Sequence, residues 1–148
     1  MKLITTGRES IVEVRSTHVI KRYLPAYFEA NERFGRTPEV TWYLERPIDS
    51  MPLLLDYDEK SITLENAGVP VTRRSWPLTV WLRRLLVDLQ AAGVHHRDIH
   101  AGNVLQRDGR FSLIDWSWAT RDPSTPVPGA LSDGDAAQVR RMFRGGGG

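Results

Sequence analysis

Cysteine is absent from the 148 residues, which excludes a disulfide framework, a thiolate zinc site and a cysteine nucleophile together. Long hydrophobic runs are also missing. The longest are a few residues, such as Leu53-Leu54-Leu55, against the roughly 20 that a membrane-spanning helix needs. The N-terminus, Met1-Lys2-Leu3-Ile4-Thr5-Thr6-Gly7, has no signal-peptide core, so a cytoplasmic location without a membrane span is expected. Nor is there a large charge of one sign. With 20 basic residues against 18 acidic ones, the net charge of +2 is a weak footprint for a dedicated nucleic-acid binder. Lysine is scarce, 3 residues against 17 Arg, which makes each lysine position informative; one is Lys21.

What is present is the composition of a folded domain, 41% hydrophobic and 26% charged. From Lys2 to Leu24 the pattern alternates through Ile4, then Ile11, Val12 and Val14, then Val19-Ile20-Lys21, with turns between, and predicts three short strands. Pro25 closes them, and a helix is expected over Ala26 to Phe34 with Tyr27, Phe28 and Phe34 as apolar anchors, broken by Gly35. Thr37-Pro38-Glu39 reads as an N-cap, a proline at the first helical position and an acid in the first turn of a short helix. It presents Val40, Tyr43 and Leu44 on one face and ends at Pro47. Pro52 to Tyr57 and Ser61 to Glu65 predict two more strands, completing a five-strand sheet.

The strongest helix signal runs from Leu78 to Ala92, with Leu78, Leu82, Leu85, Leu86 and Leu89 at 3–4 spacing and Gly93 as its stop. After it come a loop rich in ionisable groups and a hairpin around Arg107-Asp108-Gly109-Arg110. Ser132-Asp133-Gly134-Asp135 is expected to cap a last short helix through Phe143, and Gly145 to Gly148 to form a flexible tail. The whole reads as α+β. One domain is expected over residues 1–144, β-rich over 1–68 and helical over 69–144.

The chemistry concentrates in His96-Arg97-Asp98-Ile99-His100-Ala101-Gly102-Asn103, followed by Asp115 at the end of an apolar strand. Two carboxylates and an amide from one loop and one hairpin make an oxygen-rich site suited to a hard cation such as Mg²⁺. Phosphoryl transfer uses that combination, because the ion neutralises charge on the phosphates while a further carboxylate orients the attacking hydroxyl.

Here the chain resembles the protein-kinase-like superfamily, whose catalytic loop reads H-R-D-x-x-x-x-N and is followed by a metal-binding Asp. Asp98-Ile99-His100-Ala101-Gly102-Asn103 is similar to the D-[IL]-H-x-x-N wording of aminoglycoside, choline and lipopolysaccharide kinases. The resemblance spans about residues 3 to 119. It implies Asp98 as catalytic base, Asn103 and Asp115 as metal ligands, and Lys21 as the lysine that holds the α/β-phosphates. Glu39 would pair with Lys21, with Glu32 and Glu29 as the alternatives. Gly7 and Ser10 fall in the phosphate-covering loop, and Glu65 and Ala67 in the hinge against which adenine lies. ATP and Mg²⁺ are the implied cofactors. The expected acceptor is a hydroxyl on a sugar, a glycolipid, another small molecule or a protein.

Three departures stand out: the phosphate loop holds one glycine, the D-F-G position reads Asp115-Trp116-Ser117, and no A-P-E segment follows. With only 33 residues after Asp115, the part that builds a substrate platform is expected to be short. That motivates a second reading, a nucleotide-binding regulatory or scaffold module covered by a protein partner or a second copy. Metal-dependent phosphoester hydrolysis is a third, but it leaves Lys21 without a role.

Other groups carry blander readings. Glu39 in a first turn also stabilises a helix dipole. His95, His96 and His100 could form a transition-metal cluster, although His96 reads as a backbone-bonding loop residue. Trp116 and Trp118 alternate, one inward and one outward. Arg73-Arg74 and Arg140-Arg141 read as solvated faces, with an anionic acceptor such as RNA or a phosphorylated glycan as the alternative.

Overall fold

The structure, a computed structural model, describes residues 2–129 and 133–143. The β-branched N-terminal runs form β1 (Leu3–Thr6), β2 (Ser10–Val14) and β3 (His18–Tyr23), and β4 (Leu54–Tyr57) and β5 (Ser61–Glu65) complete an antiparallel sheet in the order β1-β2-β3-β5-β4. Register matters more than strand count. Lys21 lies opposite Val12 and Ile62, two residues beyond Val19, so it shares the face of the sheet that Val12 and Val19 line.

Two helices are inserted between β3 and β4 in the chain. The first, α1 (Pro25–Phe34), begins on Pro25 itself, because the N–H that proline lacks would have had no partner in a first turn; Gly35 ends it at φ 65°. Of the three expected anchors only Tyr27 is fully buried; Phe28 is exposed, edge-on to Tyr27, and Phe34 packs edge-on to Trp118.

The second, α2 (Glu39–Glu45), corrects two further expectations. Pro38 is its N-cap, not its first helical residue, and the Tyr27 hydroxyl accepts the Glu39 N–H at 2.8 Å in place of a side-chain cap. The buried face is Glu39, Trp42 and Tyr43, while Leu44 is exposed. The helix is turned so that an ion-paired carboxylate points inward, and the i, i+3, i+4 stripe follows from that choice.

The C-terminal part is built on α3 (Trp76–Ala92). It starts two residues before the predicted Leu78 because Ser75 caps it, its hydroxyl accepting from the Leu78 N–H at 3.2 Å. Leu78, Leu82, Leu85 and Leu89 are buried in a core shared with Trp42, Met51, Ile62, Leu113 and Trp116, while Leu86 is only half-buried. A second sheet, β6-β7-β8, joins β7 (Val104–Arg107) and β8 (Arg110–Leu113) to β6 (Val69–Pro70), a two-residue strand that carries no local signal.

β6 is held close by Gly68, at φ 107°, where a Cβ would come 1.9 Å from the Gln106 carbonyl oxygen. Gly68→Ala therefore combines a backbone clash with a disfavoured φ and is expected to lower stability by about 2–3 kcal/mol, read as a reduced urea midpoint at unchanged slope.

The last helix, α4 (Asp135–Arg141), stops short of the predicted Phe143, and its N-cap is Gly134 without a side-chain bond. Asp133 pairs with Arg141 instead. The expected cap residue Ser132 and tail Gly145 to Gly148 lie outside the described residues. Among the described residues no helix is long and apolar enough to cross a membrane.

Candidate active site

Between the face of the first sheet that carries Lys21 and the β7-β8 hairpin lies a cleft of about 460 Å³. Val12, Val19 and Leu64 form one apolar wall, Leu105 and Ile114 face them, and Glu65 and Gly68 border one end. Lys21, Glu39, Asn103 and Asp115 converge at the other. An apolar slot with ionic groups at one end suits a ligand with a ring and a charged tail. A larger open groove of about 790 Å³, lined by Arg46, Trp81 and Phe111, holds none of those four residues.

Lys21 Nζ donates to Glu39 Oε1 at 2.8 Å and lies 3.7 Å from Asp115 Oδ1. Burial disfavours its charge, but the Asp115 and Glu39 carboxylates outweigh that and hold its pKa above the usual lysine value. Glu39 is almost fully enclosed and takes three donors: Lys21, the Tyr23 hydroxyl at 2.7 Å and the Trp116 backbone N–H at 2.7 Å. The Tyr23 hydroxyl stays protonated, its pKa pushed up by burial and by Glu39. Glu29 and Glu32 lie on the exposed side of α1 and do not reach Lys21.

Asp115 follows β8 with φ 59°, a left-handed conformation that turns its carboxylate back toward Lys21. Burial pushes its pKa up, but the Lys21 ammonium and hydrogen bonds from Ser117 win, so it remains ionised well into acid. Asp98 behaves oppositely. Burial and the neighbouring Asp115 charge push its carboxyl up to about 6, against partial relief from His100 and Asn103. The Asn103 side-chain amide donates to Asp98 O at 2.9 Å and Asp98 Oδ2 at 3.2 Å, which leaves its Oδ1 as the free donor atom for a cation.

The loop that presents Asp98 is held from beneath. His96 is fully buried; its Nε2 donates to the Ile114 carbonyl at 3.0 Å and its Nδ1 accepts the Asp98 N–H at 3.2 Å, a neutral imidazole whose pKa burial lowers. Arg97 sits at φ 77°, a strained position for a side chain of this kind. Two residues of α4 support that strain: Asp135, expected only in the helix cap, and Gln138, for which no role was expected. Asp135 accepts the His96 N–H at 2.9 Å and the Arg97 N–H at 2.7 Å, and Gln138 bridges the Arg97 carbonyl at 2.7 Å and the Ile99 N–H at 2.8 Å. Their three-residue spacing puts both on one helix face, the one available sequence signal, but it names no target.

Other expected residues divide. Ser10 and Glu65 line the cleft; Gly7 and Ala67 do not, Gly7 closing the β1–β2 turn by donating its N–H to Ser10 O at 2.8 Å and Ala67 lining a separate hollow beside Asn66. Glu65 also accepts the Leu53 N–H at 2.8 Å. The three histidines do not converge, and among the described residues no group of three His, Cys, Asp or Glu could hold a metal ion. Trp116 is in the core, Trp118 half-buried against Phe34, and Arg73, Arg74, Arg140 and Arg141 are exposed.

Comparison with known proteins bears on this arrangement. Two solved structures of WbdD superpose on the chain with a TM-score of 0.57 each. One, a high-resolution crystal structure, is 18% identical and matches 84% of this chain and 34% of its own; the other, a co-crystal structure with a kinase inhibitor, is 17% identical over 80% and 33%. The chain thus spans about a third of those proteins, and the likeness establishes a shared fold. No curated protein matches the sequence. The family model of the phosphotransferase enzymes matches residues 20–124, from the strand of Lys21 through the loop of Asp98 to beyond Asp115, and the chain belongs to that phosphotransferase enzyme family, with a kinase-like α+β fold.

Proposed function

We propose that this protein binds Mg²⁺·ATP in the cleft and transfers the γ-phosphoryl group to a hydroxyl of a sugar, a glycolipid, another small molecule or a protein, as one minimal domain divided near Gly68. The observation that carries the reading is Lys21, half-buried between Glu39 and Asp115 at the ionic end of an apolar slot. The resemblance to the kinase-like superfamily implies that a lysine so placed holds phosphates, and one of the WbdD structures is a co-crystal with a kinase inhibitor.

The residues present fit a hard cation. Asp115 is a carboxylate held ionised and Asn103 offers its Oδ1, and Mg²⁺ commonly takes one or two protein oxygens with phosphate and water completing its shell. When bound, the ion would neutralise charge on the β- and γ-phosphates. Lys21, oriented by Glu39, steadies the α/β-phosphates. Asp98 orients the acceptor hydroxyl and takes its proton as the oxygen bonds to the γ-phosphorus; the bond to the bridging oxygen breaks and its electron pair leaves with ADP.

Single-turnover transfer from γ-labelled ATP tests this, with Asp115→Asn as the control. Wild type should label an acceptor or itself, and the variant should lose at least about 10²-fold in rate while keeping its melting profile. Nucleotide binding without transfer to any hydroxyl offered, or no binding at all, would sink the reading. One observation favours the regulatory alternative. Trp76, Val80 and Val87 form an exposed apolar face on α3, Trp76 at 70% exposure, and such a face fits a protein partner.

A further inference from the structure

The β2–β3 register sets where the β1–β2 turn lies. Ser10 pairs with Tyr23 and Val12 with Lys21, so Gly7-Arg8-Glu9 sits beyond Lys21, at the ionic end of the cleft. Within this turn only Gly7 is glycine, and tertiary contacts hold it in place. The Glu9 carbonyl accepts the Leu24 N–H at 2.8 Å, and Glu9 Oε1 accepts from Arg36 Nη2 at 2.6 Å.

Arg36 is an unusual partner for a surface turn, because its side chain is only 2% exposed. Nε donates to Asn31 Oδ1 at 2.8 Å, Nη2 also donates to the Tyr27 carbonyl at 3.1 Å, and Nη1 is buried with no hydrogen-bond partner. The guanidinium lies 4.4 Å from the ring centre of Trp118, three residues beyond Asp115. One buried cation thus touches the turn, α1 and the segment that carries Asp115. Its one carboxylate partner among the described residues is Glu9.

We propose that Arg36 is a positioning residue of the nucleotide site, latching the β1–β2 turn over the phosphate end of the cleft through Glu9. The latch rests on the phosphotransferase reading above for its purpose. If the turn swings away, Arg36 keeps only neutral acceptors and an enclosed charge stands unpaired, which is strongly unfavourable. The closed turn is therefore favoured before ligand arrives, and less ordering is left to oppose binding. Arginine is required where lysine is not equivalent, since a planar fork can stack on Trp118 and reach Glu9 and Asn31 at once.

Amide hydrogen exchange and calorimetric titration with Mg²⁺·ATP on the full chain test the latch in Glu9→Gln, Arg36→Met and Arg36→Lys. The Gly7 amide, bonded to Ser10 O, should exchange about tenfold faster in Glu9→Gln, with Leu85 and Leu89 in α3 unchanged. Affinity for Mg²⁺·ATP should fall about five- to tenfold, and Arg36→Lys should lie between wild type and Arg36→Met. Where Arg36→Met does not fold, Glu9→Gln, at the more exposed end of the pair, decides. Unchanged Gly7 exchange, α3 exchange that rises in step with it, or faster exchange at unchanged affinity would each overturn the proposal. A wild type that binds no nucleotide would overturn the phosphotransferase reading and the positioning role, and the exchange comparison would still show whether the turn is latched.

Discussion

Replacing Glu39 with Ala is expected to remove about 3–5 kcal/mol of folding stability, because one buried and two part-buried donors lose their enclosed acceptor at once and Lys21 keeps only Asp115, 3.7 Å away. That is a large share of the roughly 5–15 kcal/mol typical of a domain. Urea unfolding should show it as a lowered midpoint. Glu39→Gln retains one oxygen and much of the volume, so it should stay folded. It removes the charge that orients Lys21, and Mg²⁺·ATP binding should weaken. Tyr23→Phe isolates one of the three bonds, with an expected cost near 1 kcal/mol. An Ala variant as stable as Tyr23→Phe would show that the carboxylate is not the hub where sheet, α2 and the Trp116 segment meet.

Asp98→Asn should move activity and stability in opposite directions. Loss of the base should slow transfer about 10²- to 10⁴-fold, measured by single turnover. Stability follows from the raised pKa. The folded carboxyl titrates near 6 against the ordinary value of 3.8, so the folded state holds the proton to higher pH than the unfolded chain. The stabilisation linked to that proton is fully present below about 4 and is lost as pH rises through about 6. At neutral pH the ionised carboxylate is therefore a burden that an amide does not carry.

The rise from 3.8 to about 6 bounds the effect at about 3 kcal/mol, and the 20% exposure of the Asp98 side chain reduces it to about 1–2 kcal/mol. In metal-free buffer at pH 7 to 8 Asp98→Asn should melt higher than wild type, with the difference vanishing near pH 4. A variant that melts lower at pH 7 would mean that the carboxylate stabilises the loop through Asn103 more than its burial destabilises it.

Much of this molecule was legible in one dimension. Strand alternation, the leucine spacing of α3 and the Asp-Gly hairpin are local signals, and each element formed within two or three residues of its predicted place. Lys21, Asp98, Asn103 and Asp115 were legible because the loop and its spacing resemble the kinase-like pattern, so a candidate site could be named before its geometry was known. The misreading of the α2 face has a tertiary cause. Leu44 points to solvent because α2 is rotated to bury Glu39, and that orientation is set by Lys21, Tyr23 and Trp116, while Pro38 stays outside α2 where the Tyr27 hydroxyl caps the Glu39 N–H.

Sequence alone therefore determined the elements and the identity of the charged groups, since short-range sterics, periodicity and side-chain chemistry are written residue by residue. Tertiary structure decided which glutamate meets Lys21, that Asp135 and Gln138 hold the strained Arg97 loop from nearly 40 residues away, and that Arg36 reaches Glu9 across α1. Those contacts join segments far apart in the chain. Their partners are selected by the need to pair every buried charge and polar group, a requirement that exists only once the core has closed.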